Sequence, residues 1–129
     1  MPVETVADMK VDDEYIMIKK NTTVRDIARG LLEGENRAAL VMDGNRCIGA
    51  ITLDIIVART IVEPRHPLGT LAYEIMDTNI LKVFRHTRID DIRKSIQRLK
   101  PVAIVVLDER GEQVVGYVSP MDMVEAVQD

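Results

Sequence analysis

The residues best equipped for chemistry lie near the C-terminus, in the stretch Gly116-Tyr117-Val118-Ser119-Pro120-Met121-Asp122. An apolar strand gives way to a helix there, and a hydroxyl and a carboxylate stand at the junction. Ser119 is a good N-cap, and Pro120 suits the first helical position because its missing N–H is unpaired there anyway. Asp122 falls three residues after the cap, where a carboxylate can meet the helix start and its partial positive charge. Two uses follow from those residue types. One is a capped helix and nothing more. The other is that the same hydroxyl, carboxylate and free N–H groups receive a phosphorylated ligand. The second is favoured because most of the chain occurs twice.

The bulk properties are those of a globular protein. The chain has 129 residues, 47% hydrophobic and 29% charged, which is about one domain's worth with a sizeable core. Aromatics are 3% and Trp is absent, so the core is aliphatic, with seven Met as adaptable filler. The net charge of −4 argues against non-specific nucleic-acid binding, which needs a basic surface. A single Cys rules out an intrachain disulfide. No signal peptide or bilayer-length apolar run is evident, so a cytoplasmic location is expected, with no membrane partner.

In chain order, Val6 to Val11 is expected to form a short lead-in helix and Tyr15 to Ile18 a strand. Thr23-Val24-Arg25-Asp26 resembles a capping box, and Val24, Ile27, Ala28, Leu31 and Leu32 follow at helical spacing up to Gly34. Ala38 to Met42 is an uninterrupted apolar strand, Asp43-Gly44-Asn45 a hairpin turn, and Cys47 to Ile51 the returning strand. Thr52 can cap a helix through about Val62. Pro64, Pro67 and Gly69 mark a linker. The pattern then restarts: a short helix at Leu71 to Met76, a strand at Ile80 to Phe84, and a helix capped by Thr87. Pro101 ends that helix. Strands follow at Val102 to Leu107 and Gln113 to Val118, and the last helix starts at Ser119.

The repeat survives alignment. Val24 and Ile89, Asp26 and Asp91, Ile27 and Ile92, and Asp43 and Asp108 are each 65 positions apart. After a two-residue insertion in the second turn, Gly49 matches Gly116 and Thr52 matches Ser119, both 67 apart. The expected organisation is a first repeat over 1–63 with its lead-in, a linker at 64–69 and a second repeat over 70–129. Each half reads as strand–helix–strand–strand–helix and is marginal in size for folding alone. The simplest solution is an α/β (α+β) fold in which two pseudo-two-fold related halves pack sheet to sheet, with a shared cleft between them.

The doubled order, and the endings Gly-x-hydrophobic-Ser/Thr-x-x-Asp, make the chain resemble a tandem pair of cystathionine β-synthase (CBS) domains, also called a Bateman module. The resemblance spans roughly Val6 to Val127. It implies a non-catalytic sensor that binds an adenosine ligand (AMP, ADP, ATP or S-adenosylmethionine) in the cleft, pairs into homodimers through helices, and regulates a separate protein. It also implies that Asp122 accepts hydrogen bonds from both ribose hydroxyls and that Ser119 contacts phosphate or ribose. A carboxylate suits a cis-diol because its two oxygens can take two donors at once. Ile80, Val102, Ala103 and Ile104 are the candidates for an apolar adenine slot, and His86 and Thr87 lie where family members often touch the ligand.

The first half departs from that pattern. Ile55 stands three residues after Thr52, and Asp54 is one residue early, about 100° round a helix. Losing one charge-assisted bond costs a site about tenfold or more in affinity. One good nucleotide site is therefore expected, built mainly from the second half, with Thr52 left in a degenerate copy. The cations available to a phosphate tail are Arg65, His66, Arg85, His86, Arg88 and Lys100, of which Arg85 and His86 are favoured.

The remaining constellations carry less. Cys47 reads as a buried structural thiol. Two His and one Cys make no four-ligand zinc site, and Asp12-Asp13-Glu14 is a solvated acidic loop. No Walker loop, Rossmann glycine pattern or nucleophile elbow is present, and no required cofactor or enzymatic activity is expected. The helices after Thr52 and Ser119 carry Ile55, Ile56, Val57, Ala58, Ile61 and Met121, Met123, Val124, Ala126, Val127, apolar over more than one face. Such helices need cover from two sides, so a homodimer is expected. The competing reading is a ligand-free scaffold for dimerisation and partner docking.

Overall fold

The structure is a computed structural model that describes residues 4–127, with side chains as far as Met123; Val124, Ala126 and Val127, expected to share in an apolar face, thus lie outside the described side chains. After a 3-10 turn at Val6–Asp8 come β1 (Tyr15–Lys19), α1 (Val24–Glu33), β2 (Ala38–Asp43), β3 (Arg46–Ile51) and α2 (Leu53–Val57). Alpha-helix α3 (Ala72–Ile75), β4 (Ile80–Phe84), α4 (Ile89–Leu99), β5 (Ala103–Leu107), β6 (Val114–Val118) and α5 (Pro120–Val127) complete the order. The helix expected from Thr52 to Val62 is α-helical only to Val57 and widens into π turns over Ala58–Val62. The Thr60 hydroxyl takes the Ile56 carbonyl at 2.6 Å, and the next N–H groups reach back five residues, Glu63 to Ala58 and Arg65 to Thr60. A hydroxyl competing for a helix carbonyl loosens the turn in this way.

The strands form two three-stranded sheets, β1-β2-β3 and β4-β5-β6, each with one parallel and one antiparallel pair. Helix α1 is capped by Thr23, whose Oγ1 accepts from the Asp26 N–H at 3.3 Å. Val24, Ile27 and Leu31 from α1 join Ala39, Val41 and Ile51 in one core. Ile89 and Ile92 from α4 join Val83, Ile104, Val106 and Val118 in the other. Thr87 does not cap α4 as expected. Arg88 holds the N-cap position, and Thr87 Oγ1 accepts from the Phe84 N–H at 2.9 Å, closing the turn after β4. Thr22 does the same for Lys19 after β1.

Two compact units result, one from residues up to 13 together with 79 onward, the other from 14–78. They partition the chain differently from the sequence repeat, because the segment ahead of each repeat packs on the sheet of the other. Val6 and Val11 are buried in the core of the β4-β5-β6 unit, and Ala72 and Ile75 in that of the β1-β2-β3 unit. The backbone bonds match pair by pair. Val6 N–H donates to Thr87 and Tyr117 N–H to Val11; Ala72 N–H donates to Thr22 and Ala50 N–H to Asp77.

The repeated glycine of the Gly-x-x-Ser/Thr motif makes this docking possible. A Cβ on Gly116 would stand 2.6 Å from the Val11 carbonyl oxygen, and one on Gly49 2.9 Å from that of Asp77. Both contacts are with backbone, which has little room to yield. Gly116→Ala and Gly49→Ala are therefore each expected to destabilise by about 1–3 kcal/mol, the usual cost of overpacking. Gly69→Ala, whose Cβ meets nothing closer than 4.0 Å, should stay within about 0.5 kcal/mol of wild type. Denaturant titration of the three variants measures the difference; equal effects would remove the packing argument.

Candidate ligand-binding site

The junction between β6 and α5 carries the two residues singled out first. The Asp122 N–H donates to Ser119 Oγ at 3.0 Å, and the Ser119 N–H donates to Asp122 Oδ2 at 3.3 Å. This is a reciprocal capping box, so the simpler of the two uses is realised. A capped helix start does not by itself exclude the other, because a carboxylate offers about four acceptor positions. Ser119 is buried and Asp122 half-buried. The strand before them is fixed by Tyr117, whose N–H meets the Val11 carbonyl at 2.7 Å.

Sheet register decides what lies near this junction. Val118 pairs with Ile104, and Ala103 pairs with Ile80, so Ser119 follows β6 at the end where β4 and β5 begin. Ile80, Val102 and Ala103 are therefore brought to the same end as Ser119 and Asp122. Ile80 and Val102 are half-buried and Ala103 fully buried. Ile104 is different. Its side chain belongs to the core beside Ile92 and Val118, and its peptide groups sit in the central strand of the ladder.

Arg85, His86 and Thr87 are not brought to this junction. Phe84 pairs with Leu107, so these three follow β4 at the opposite end of the sheet. From the first to the last of the five residues of β5 is about 13 Å, four rises of about 3.3 Å. Thr87 is engaged in its turn, and Arg85 and His86 line a separate groove. Arg88, the N-cap of α4, shares that end. Arg65 and His66 belong to the other compact unit. Of the four candidate cations in this unit, Lys100 alone stands at the junction end, as the left-handed C-cap of α4 (φ 48°) two residues before Val102. The local spacing of Arg85 and His86 ahead of a long helix gave no information about which end of the sheet they occupy.

One positioning residue was missed in the sequence. Asn79 Nδ2 donates to the Leu99 and Lys100 carbonyls at 2.7 and 3.1 Å, and its own carbonyl accepts from the Val102 N–H at 2.9 Å. It thereby ties Lys100 and Val102 to the start of β4. In the first repeat Glu14 takes that place, accepting from the Arg37 N–H at 2.7 Å and pairing with its guanidinium at 3.3 Å.

The matching junction of the first repeat has other chemistry. The Thr52 hydroxyl donates to the Asp54 carboxylate and makes no capping bond. Ile55, in the place of Asp122, lines a cavity of about 330 Å³ with Ala58, Arg59, Ile75, Met76, Asp77 and Thr78. Arg59 Nε lies 3.3 Å from Glu63 Oε2, so its charge is already matched locally. Among the described residues no three His, Cys, Asp or Glu side chains are grouped to hold a metal ion, and no helix is long and apolar enough to cross a membrane.

The model of the CBS domain matches residues 6–60 and again 72–129. The chain belongs to the CBS domain family. Solved CBS structures share its fold. A protein with CBS domains from Burkholderia ambifaria MC40-6 is 24% identical, with 95% of this chain and 90% of that one covered and a TM-score of 0.78. The CBS domain pair of protein MJ0100, in complex with 5'-methylthioadenosine and S-adenosyl-L-methionine, is 19% identical over 98% of each chain, at a TM-score of 0.79. CBSX2 in complex with AMP is 22% identical over 96% of each chain, at 0.72. At these identities the likeness establishes the shared fold of a CBS pair. A comparison with curated proteins returns no match.

Proposed function

We propose that this CBS pair is a non-catalytic regulatory module that binds an adenine nucleotide or S-adenosylmethionine through the β6–α5 junction of its second repeat. Asp122 accepts from the two ribose hydroxyls. Ser119 meets the ribose or phosphate, Lys100 supplies positive charge, and Ile80, Val102 and Ala103 offer apolar ground for the base. The observation that carries this reading is the gathering of these residues at one end of the β4-β5-β6 sheet, with Ile55 replacing the carboxylate in the other repeat. The adenosine-type ligands of the MJ0100 pair and of CBSX2 support the ligand class.

Thermal melting with AMP, ADP, ATP and S-adenosylmethionine tests it. At about a hundred times its dissociation constant a ligand adds roughly 2.7 kcal/mol to stability, a readily visible shift. At least one of the four is expected to raise the wild-type midpoint, and Asp122→Ala is expected to weaken that response by about tenfold in concentration. Unchanged melts with all four at millimolar concentration would favour the scaffold reading instead.

We also propose a homodimer formed through the helix after Thr52. Leu53, Val57 and Ile61, four residues apart, are 40%, 48% and 73% exposed, and the neighbouring Val62 is as open as Ile61. An apolar stripe of this kind is uncommon on a monomer and suits burial against its own copy. Sedimentation is expected to show a dimer that Val57→Glu with Ile61→Glu converts to monomer. A wild-type mass equal to the monomer at every concentration would exclude it.

A further inference from the structure

We propose that the groove at the carboxyl ends of β4 and β5 is a second ligand site, for a small flat aromatic or heteroaromatic molecule bearing a phosphate or carboxylate. Ligands of open α/β sheets favour the crevice outside the carboxyl ends of parallel strands, and β4 and β5 are such a pair. The groove is about 250 Å³ and is lined by Phe84, Arg85 and His86 at the end of β4, Leu107 and Glu109 at the end of β5, and Thr5 and Ala7 of the lead-in. That is below the roughly 300–1,000 Å³ usual for drug-sized ligands, so the occupant is small. The site is distinct from the Ser119–Asp122 junction, and neither depends on the other.

The groove's chemistry follows from how the second repeat differs from the first. After β1, Lys20 Nζ lies 3.4 Å from Asp43 Oδ1. The equivalent residues of the second repeat are Arg85 and Asp108. The two-residue insertion in the second turn gives the Asp108 carboxylate other work: Oδ1 accepts from the N–H groups of Glu112 at 2.8 Å and Gln113 at 3.3 Å. Those bonds, that from Glu112 foremost, also hold its pKa below the ordinary 3.8. Among the described residues the Arg85 guanidinium is left with no carboxylate within 4.0 Å.

Two further differences shape the groove. Ala7 N–H donates to the Arg85 carbonyl as Tyr73 N–H does to that of Lys20, so Ala7 has the place that Tyr73 takes in the β1-β2-β3 unit. The second is a ledge: His86 stacks on Phe84 with ring centroids 5.6 Å apart and planes 15° from parallel. Flat rings stack on such surfaces, a forked guanidinium takes phosphate or carboxylate in two bonds, and Glu109 can accept from a ring N–H.

Titration calorimetry of the full chain with phenyl phosphate, inorganic phosphate and phenol tests the proposal. Phenyl phosphate is expected to bind wild type and Asp122→Ala alike, and more tightly than either fragment. Arg85→Gln, and Ala7→Tyr, which puts a phenol ring at a position lining the groove, are each expected to weaken it by roughly tenfold or more. Both changes are at exposed positions, and unchanged melting midpoints will show that the fold is kept. The proposal is overturned if phenyl phosphate does not bind wild type at millimolar concentration, or if neither variant weakens it. It is equally overturned if Asp122→Ala abolishes binding, which would assign the heat to the junction, or if inorganic phosphate binds as tightly as phenyl phosphate.

Discussion

The structure depends on a backbone contact: a lead-in segment laid against a strand so closely that the strand must carry glycine. Val11 meets Tyr117 over Gly116, and Asp77 meets Ala50 over Gly49. The contact covers the outer edge of β6 and of β3, which would otherwise present unpaired peptide groups. It also completes each core, since Val6 and Ala72 are fully buried there. Because each lead-in belongs in sequence to one repeat and in space to the other's sheet, neither repeat as read from the sequence carries a whole unit.

That contact ends two residues before the junction proposed as the ligand site. Tyr117 is held by Val11, Ser119 and Asp122 are locked in their capping box, and Asn79 pins the turn before β5. A carboxylate presented from a fixed helix start needs little reorganisation to take a pair of hydroxyls. The two repeats share the scaffold and differ in the side chains mounted on it. Ile55 for Asp122 removes the acceptor from one junction. The insertion that engages Asp108 leaves Arg85, at the far end of the other sheet, with no carboxylate partner among the described residues. Duplication fixed the backbone, and point differences divided the chemistry.

Much of this was legible in the sequence because it is local. The apolar runs Ala38–Met42 and Val102–Leu107, the cap at Thr23 and the cap at Ser119 each depend on residues within a turn of one another. The repeat spacing gave the doubled fold and its family. What the sequence concealed is set by register. Arg85 and Ser119 stand at opposite ends of one sheet because β4 runs parallel to β5 while β6 runs back, and no local pattern states which end a loop occupies. The exchange of lead-ins was hidden for the same reason, since Val11 and Gly116 meet across most of the chain. Thr87 and Thr60 show a smaller version of the problem: a hydroxyl near a helix can cap it, close the turn before it or loosen it, and the choice is made by backbone geometry.

The most direct measurement is a crystal structure of the protein with AMP. Both ribose hydroxyls are expected within about 2.5–3.0 Å of the Asp122 carboxylate, with Ser119 against the ribose or phosphate and the base beside Ile80 and Val102. A nucleotide bound elsewhere, with no ribose hydroxyl on the Asp122 carboxylate, would contradict the assignment of this junction as the ligand site.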